Sequence, residues 1–234
     1  MTIEQIRIAS YNLQKCVGLD MRRRPGRSLE VIAALGADVV VLQEADKRLP
    51  PRPAALPHEM IEAEGWRIVP LGAPGGTLGW HGNAMLVRPG LSVRTGRHFD
   101  LPGLEPRGAI LAELDTPIGA LRIIGTHLGL IRRHRLLQMA AIIRHIAGLA
   151  PMPTVLAGDF NQWGKAARLI DAARGMRFAP IPPSYPAPRP VTRLDRIAHD
   201  PRLEVVAAGR HARAPAQIAS DHLPVWADLA PAGR

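Results

Sequence analysis

The sequence predicts two mixed β-sheets packed face to face, with helices on their outer faces. Short apolar segments bounded by Gly or Pro recur along the chain, which is typical of buried strands. Helical patterns are few, and the order of elements is neither a regular β-α-β repeat nor all-β. At 234 residues, of which 47% are hydrophobic, the chain can bury one substantial core. We therefore expect a single domain over residues 1–234.

The N-terminal third predicts a β-α-β unit followed by a region rich in loops. Residues 5–13 alternate polar and apolar, and the Val and Leu run of residues 38–43 suits a fully buried strand. Between them, Ser28 is expected to cap a short helix. Residues 50–80 are rich in Pro and Gly, which predicts a loop with one helical turn and a short strand at residues 66–69.

The rest of the chain shows helical periodicity in two segments and short apolar segments that are typical of strands. Apolar side chains recur about every 3.6 residues over residues 131–149, the best helix, and a shorter helix is expected at residues 166–173. The Pro-rich segment 180–190 predicts a rigid connection. Short apolar segments predict further strands at residues 83–88, 108–114, 121–126, 154–157, 194–198, 203–207 and 223–229.

Polar groups stand at the ends of these apolar segments, where a core has no use for them. A buried carboxylate, amide or imidazole needs a partner to offset its lost hydration. If the strand ends converge, these groups converge as well, and the product is a metal-dependent hydrolytic site. The candidate residues are Asn12, Glu44, Arg107, His127, Asp159, Asn161, Asp195, Asp221 and His222.

The carboxylates and amides of this set suit a hard divalent cation, which takes oxygen ligands and leaves positions for water and a phosphate oxygen. Glu44 is the leading ligand candidate because it follows a buried strand, and Asn12 is a candidate for a further oxygen or for a hydrogen bond to metal-bound water. Asp159 and Asn161 stand two residues apart across a tight turn, so they can hold one water between them. The alternative for each is a solvated strand end or an ordinary Asx-turn.

Two imidazoles differ from the other histidines by their position. His222 lies beside Asp221, and Asp195, on a separate apolar strand, is able to orient the ring and raise its pKa. His127 follows the apolar strand of residues 121–126. Arg107 is a candidate phosphate anchor or the partner of a ligand carboxylate, and its alternative is a solvated strand end.

The composition sets the expected partners and setting. A formal charge of +10 favours anionic partners, although only three of the 30 basic residues are lysines, so a general bias toward arginine is an equal explanation. The single cysteine, Cys16, excludes an intramolecular disulfide, and no secretory signal or apolar run of ~20 residues is evident. We expect a monomer without a transmembrane segment in a reduced, cytoplasmic setting.

The clusters, in this order, resemble the endonuclease/exonuclease/phosphatase (DNase I-like) superfamily. The motifs that carry the likeness are Leu42-Gln43-Glu44, Gly125-Thr126-His127-Leu128, Gly158-Asp159-Phe160-Asn161 and Ser220-Asp221-His222-Leu223-Pro224. The resemblance implies a four-layer αββα sandwich and a Mg²⁺- or Mn²⁺-assisted in-line attack of water on a phosphoester.

The resemblance also implies a role for each candidate. Glu44 is similar to the metal ligand of the family, and Asn12 and Asp221 are similar to its close neighbours. Asp159 and Asn161 resemble the pair that orients the attacking water.

In the same way, His222 and Asp195 resemble the family's His–Asp pair, which serves as general base or as transition-state stabiliser. The resemblance implies that His127 contacts the scissile phosphate or the leaving oxygen, and that Arg107 supports Glu44.

The main hypothesis is therefore a divalent-metal-dependent phosphoester hydrolase of the phosphodiesterase or nuclease type. Its substrate is a nucleic acid, a lipid headgroup diester or a soluble phosphate ester. The alternative from another class is a non-catalytic basic module that binds nucleic acid or another anionic ligand, which the charge alone would explain.

Overall fold

The computed structural model of the protein describes residues 4–47, 52–72, 75–164 and 166–233. In these ranges the strands are β1 (Ile6–Asn12), β2 (Val39–Gln43), β3 (Arg67–Ile68), β4 (Ala84–Val87), β5 (Ser92–Leu101), β6 (Arg107–Thr116), β7 (Gly119–His127), β8 (Thr154–Asp159), β9 (Arg177–Phe178), β10 (Asp195–His199), β11 (Leu203–Arg210) and β12 (Val225–Pro231). The helices are α1 (Pro25–Ala34), α2 (His58–Ala63), α3 (Arg132–Ala147), α4 (Ala167–Ala172) and α5 (Ala216–Ala219), with a 3₁₀ turn at Gln14–Cys16.

The strands form two six-stranded mixed sheets. The strand order is β11-β12-β1-β2-β4-β3 in the first sheet and β5-β6-β7-β8-β10-β9 in the second. Each sheet has one parallel pair near its centre, β1 with β2 and β7 with β8. A parallel pair needs a crossover connection. The crossovers contain α1 in the first sheet and α3 in the second.

The two sheets pack face to face, and a helix covers the outer face of each. Because side chains alternate along a strand, neighbours on β2 face opposite sides. Val41 belongs to a buried cluster with Ile123 and Val155 of the second sheet, whereas Val40 belongs to a cluster with Ile32 of α1. On the other side, α3 packs in a third buried cluster on the second sheet. These four layers confirm the predicted αββα sandwich.

The predicted helices and strands lie within four residues of the observed bounds, but the expected cap of α1 is wrong and the sequence does not predict every element. Ser28 does not cap α1, because the helix begins at Pro25 and Ser28 is buried inside it. Proline at the first helical position has a φ that already suits a helix and lacks an N–H that would need a partner. The sequence also does not predict β5, which is an edge strand with many polar, partly exposed residues, or the short elements β9 and α5.

The expected loop of residues 50–80 contains α2 and β3, and its residues 50, 51, 73 and 74 lie outside the described residues. In the ranges that the structure describes, no helix is both long enough and apolar enough to cross a bilayer.

Candidate active site

Strand pairing in the first sheet brings several predicted site residues to one edge. Asn12 ends β1 and pairs with Gln43 at the end of the parallel strand β2, so Glu44 follows at the same edge. Because β12 runs antiparallel to β1, Asp221 and His222, which precede β12, approach this edge as well.

Strand pairing in the second sheet likewise brings the remaining predicted site residues to one edge of that sheet. His127 ends β7 and pairs with Asp159 at the end of the parallel strand β8. The antiparallel strand β10 begins at Asp195, opposite Asp159, and β6 begins at Arg107 beside the end of β7. The edges of the two sheets meet where the Asn12 Nδ2 group donates a hydrogen bond to Asp159 Oδ2, at 3.1 Å.

Asp159 lies at the centre of this network. Its Oδ1 accepts the backbone N–H of Asn161 at 2.8 Å. Its Oδ2, besides accepting the Asn12 amide, lies 3.4 Å from Nε2 of His127 and 3.7 Å from Nε2 of His222. The Asp159 carboxylate is therefore surrounded by one side-chain amide and two imidazoles.

The turn that carries Asp159 depends on the residues around it. A Cβ at Gly158 would lie 1.9 Å from the carbonyl oxygen of Thr126, so only glycine allows β8 to approach β7 this closely. Phe160 is fully buried and anchors the turn. Asn161 adopts a φ of 49°, which asparagine tolerates better than most residues, and its Nδ2 donates to the carbonyl oxygen of Leu128 at 2.8 Å.

His222 is held in place from behind by a buried carboxylate. Its Nδ1 lies 2.8 Å from Asp195 Oδ2, which also accepts the Ser184 hydroxyl at 2.5 Å. Burial alone would lower the pKa of His222, but the charge and hydrogen bond of Asp195, together with the charges of Asp159 and Asp221, raise this pKa to about 10. The structure thus places Asp195 against His222, the pairing that the sequence predicts.

The pKa of His127, on the other side of Asp159, is shifted in the opposite direction to that of His222. Burial lowers the pKa of His127 to about 3, against the raising effect of Asp159, and the charges of Arg107, His222 and Lys15 lower it further. At neutral pH the two imidazoles therefore differ, because His222 carries a proton on both nitrogens and His127 is neutral.

We expect this difference to be visible by NMR of the ring nitrogens in metal-free protein. Between about pH 5 and 8, His222 should stay protonated and His127 should stay neutral. Because the folded-state pKa of His222 is raised, its stabilising contribution is full below the unfolded-state pKa of ~6.5 and is lost as the pH rises toward 10. A His222 ring that titrates near its ordinary pKa would contradict this assignment.

Glu44 and Asp221 place two negative charges on the first-sheet side of the site. Burial raises the pKa of Asp221, the charge of His222 lowers it, and the charge of Glu44 raises it. Glu44 has a φ of 51°, a conformation that residues other than glycine rarely adopt. A divalent cation would relieve the repulsion between the carboxylates, and their oxygens, with the Asn12 amide nearby, suit Mg²⁺ or Mn²⁺. The residues present therefore fit the predicted metal.

A second group of side chains could also hold a cation. Asp159, Asp195 and His222 are all buried, and one ligand atom from each lies within 4.8 Å of the others. Asp195 Oδ2, however, already accepts hydrogen bonds from Ser184 and pairs with His222 Nδ1. These hydrogen bonds fix the imidazole ring, and a cation held by this group would compete with them.

In the part of the chain that the structure describes, Arg107 forms no hydrogen bond or ion pair with Glu44, whereas the resemblance implies that it supports Glu44. Its Nη2 lies 2.8 Å from the carboxylate of Glu105, two residues earlier in the chain, so this pair forms with little loss of chain freedom. The cation that contacts Glu44 is the ammonium group of Lys15. The sequence analysis missed Lys15, and the only available signal was its position three residues after Asn12.

The converging groups line a single cleft of about 520 Å³. Eight of the nine predicted site residues line it, and the ninth, Asp195, lies behind His222. Two aromatic residues that the sequence analysis did not single out also line the cleft. The ring of Tyr185 is 4.9 Å from that of His222, and the ring of Trp163 is 5.5 Å from that of Tyr185.

The sequence matches the model of a known protein family over most of its length. Residues 9–222 match the model of the Endonuclease/Exonuclease/phosphatase family. Because the match covers most of the chain, the protein belongs to this family.

Comparison with individual proteins agrees with that membership. The chain is 30% identical over 171 residues to "Uncharacterized protein YbhP" of Escherichia coli K12; the match covers 64% of this chain and spans 63% of the relative's length. An endonuclease/exonuclease/phosphatase structure from Beutenbergia cavernae has a TM-score of 0.73 at 23% identity and covers 98% of this chain and 72% of that one.

Two further solved structures share the fold at low identity. D. rerio TDP2 complexed with single strand DNA product has a TM-score of 0.74 at 16% identity, over 96% of this chain and 98% of that one. The human Nocturnin catalytic domain with bound sulfate anion has a TM-score of 0.73 at 21% identity, over 97% of this chain and 94% of that one. At these identities the likeness shows the fold alone.

Proposed function

We propose that the protein is a divalent-metal-dependent phosphoester hydrolase of the phosphodiesterase or nuclease type, in which water attacks phosphorus in line. One observation carries this proposal. Asp159 lies between the imidazoles of His127 and His222, in a cleft whose other side holds the carboxylates of Glu44 and Asp221. A module that only binds anions has no need for a carboxylate in this position.

The second-sheet residues would handle the attacking water and the reacting phosphorus. Asp159, with Asn161 beside it, orients the water and receives its proton at Oδ2. His222, whose ring is held by Asp195, donates from Nε2 to a phosphoryl oxygen, where negative charge increases in the transition state.

The remaining residues bind the phosphate and the metal. His127 contacts the leaving oxygen, and Arg107 anchors the phosphate from the cleft rim. A divalent cation held by Glu44, with Asn12 and Asp221 beside it, would supply Lewis-acid stabilisation of the developing charge.

The substrate that the proposal favours is a nucleic acid. The chain carries a formal charge of +10, and D. rerio TDP2, which shares this fold, forms a complex with a single strand DNA product. A lipid headgroup diester and a soluble phosphate ester are the other candidates, because the same carboxylate and imidazole groups would act on either.

A panel of phosphoesters tests the proposal. Bis-p-nitrophenyl phosphate, plasmid DNA and a phospholipid diester should be assayed with Mg²⁺, with Mn²⁺ and with chelator, and we expect metal-dependent turnover of at least one. Folded protein without metal-dependent turnover on any of them would contradict the proposal. Salt-sensitive binding of DNA that is indifferent to chelator would then favour the binding module.

A further inference from the structure

Lys15 reaches the cleft from a strained turn that follows β1. Gln14, Lys15 and Cys16 have φ values of 46°, 58° and 61°, so three successive residues with a Cβ adopt a left-handed conformation. Such strain persists only where the surroundings enforce it. Here the backbone N–H of Gln14 donates to Asn12 Oδ1 and its side-chain Oε1 accepts the backbone N–H of Asp221, each at 3.0 Å.

The turn places the Lys15 ammonium on the carboxylate of Glu44. The two side chains are 36% and 27% exposed. An ion pair this exposed contributes little to stability because water screens it. The stability gained from this ion pair is therefore too small to explain why a strained turn holds a lysine at this position.

The position of Lys15 relative to the reacting groups suggests another role. Its charge acts on the buried imidazole of His127, which the proposed reaction places at the leaving oxygen. Lys15 also lines the same cleft as Arg107, but Arg107 is paired with Glu105, outside the set of carboxylates assigned to the metal. Among the ion pairs of the described residues, that of Lys15 is the one that uses a carboxylate of the candidate metal site.

We propose that Lys15 binds the substrate phosphate, and that Glu44 holds its ammonium in the cleft until a divalent cation takes the carboxylate. The inference rests on the proposed function, because it assigns a phosphate to the cleft and a metal to Glu44. A lysine ammonium on a flexible four-carbon stem can turn from a carboxylate to a phosphate oxygen within one site. It would then make a charge-assisted hydrogen bond to the phosphate.

The substitution Lys15→Met tests this inference, because it keeps the length of the side chain and removes its charge. Two binding constants should move in opposite directions. Without substrate, Mn²⁺ should bind about 2- to 5-fold more tightly, since no ammonium competes for Glu44. Inorganic phosphate, in the presence of Mg²⁺, should bind about 10-fold more weakly or worse, since a charged hydrogen bond is lost.

Free Mn²⁺ can be followed by electron paramagnetic resonance and inorganic phosphate by ³¹P NMR, so neither readout depends on turnover. Lys15→Arg keeps the positive charge and should keep phosphate binding near the wild-type value. Arg94→Met is the matched control, because Arg94 pairs with Asp115 at the end of the β5–β6 ladder away from Arg107. Both binding constants should be unchanged in Arg94→Met.

Unchanged constants in Lys15→Met, or weaker binding of both Mn²⁺ and phosphate, would overturn the inference. Lys15→Gln serves as the second variant if the Met variant does not fold, and the same two shifts are required of it. Wild-type turnover of phosphoesters together with unchanged constants in the variant would refute this inference alone. If the wild-type protein hydrolyses no phosphoester but Lys15→Met still shows the two opposite shifts, the proposed function is refuted and the role of Lys15 in phosphate binding is supported.

Discussion

The substitution Asp159→Asn is expected to lower kcat/KM by about 10²- to 10⁴-fold while the protein stays folded. The amide has nearly the same shape as the carboxylate, so the hydrogen bond from the backbone of Asn161 can persist. It carries no negative charge, however, and it cannot take a proton from the attacking water. Steady-state turnover of bis-p-nitrophenyl phosphate in Mg²⁺ measures the effect.

The control for this prediction makes the same chemical change far from the cleft. Asp115 lies near the end of β6, at the opposite end of the strand from Arg107, and pairs with Arg94 on the surface. Asp115→Asn should leave kcat/KM unchanged. Turnover of Asp159→Asn within tenfold of the wild-type rate would refute the role given to this carboxylate.

The substitution Glu44→Gln is expected to weaken metal binding by at least about 10²-fold, because it removes the leading carboxylate ligand. Turnover at a fixed, low Mg²⁺ concentration should fall in proportion, and a higher Mg²⁺ concentration should restore part of it. The measurement is the Mg²⁺ concentration that gives half-maximal turnover in each protein.

Glu105→Gln is the matched control for Glu44→Gln. Glu105 lines the same cleft as Glu44, and its substitution removes the same charge, but its carboxylate pairs with Arg107. We expect its Mg²⁺ requirement to equal that of the wild type. Equal shifts in the two variants would mean that net charge in the cleft, rather than a ligand at Glu44, governs metal binding.

The sandwich could be predicted from the sequence because its strands have local patterns. The buried run that ends at Leu42 and the apolar segment 154–157 identify strands without any knowledge of their partners. The polar residues that follow them, Glu44 and Asp159, then mark an edge of each sheet. β5 could not be predicted in this way, since an edge strand with polar residues has no continuous apolar pattern.

Apart from the pairing of Asp195 with His222, the contacts inside the site could not be predicted, because they join residues far apart in the chain. The hydrogen bond between Asn12 and Asp159 spans 147 residues, and it depends on how the two sheets align. The turn that brings Lys15 to Glu44 uses left-handed residues with ordinary side chains, so no glycine marks it in the sequence.

The proposed function requires that the cleft bind a divalent cation at Glu44. Anomalous scattering from Mn²⁺ in crystals of the wild-type protein tests it most directly. We expect one strong peak beside the Glu44 carboxylate, with Asn12 and Asp221 as its nearest other side chains. A peak held instead by Asp159, Asp195 and His222, or no peak in the cleft at saturating Mn²⁺, would refute the assignment of Glu44 as the metal ligand.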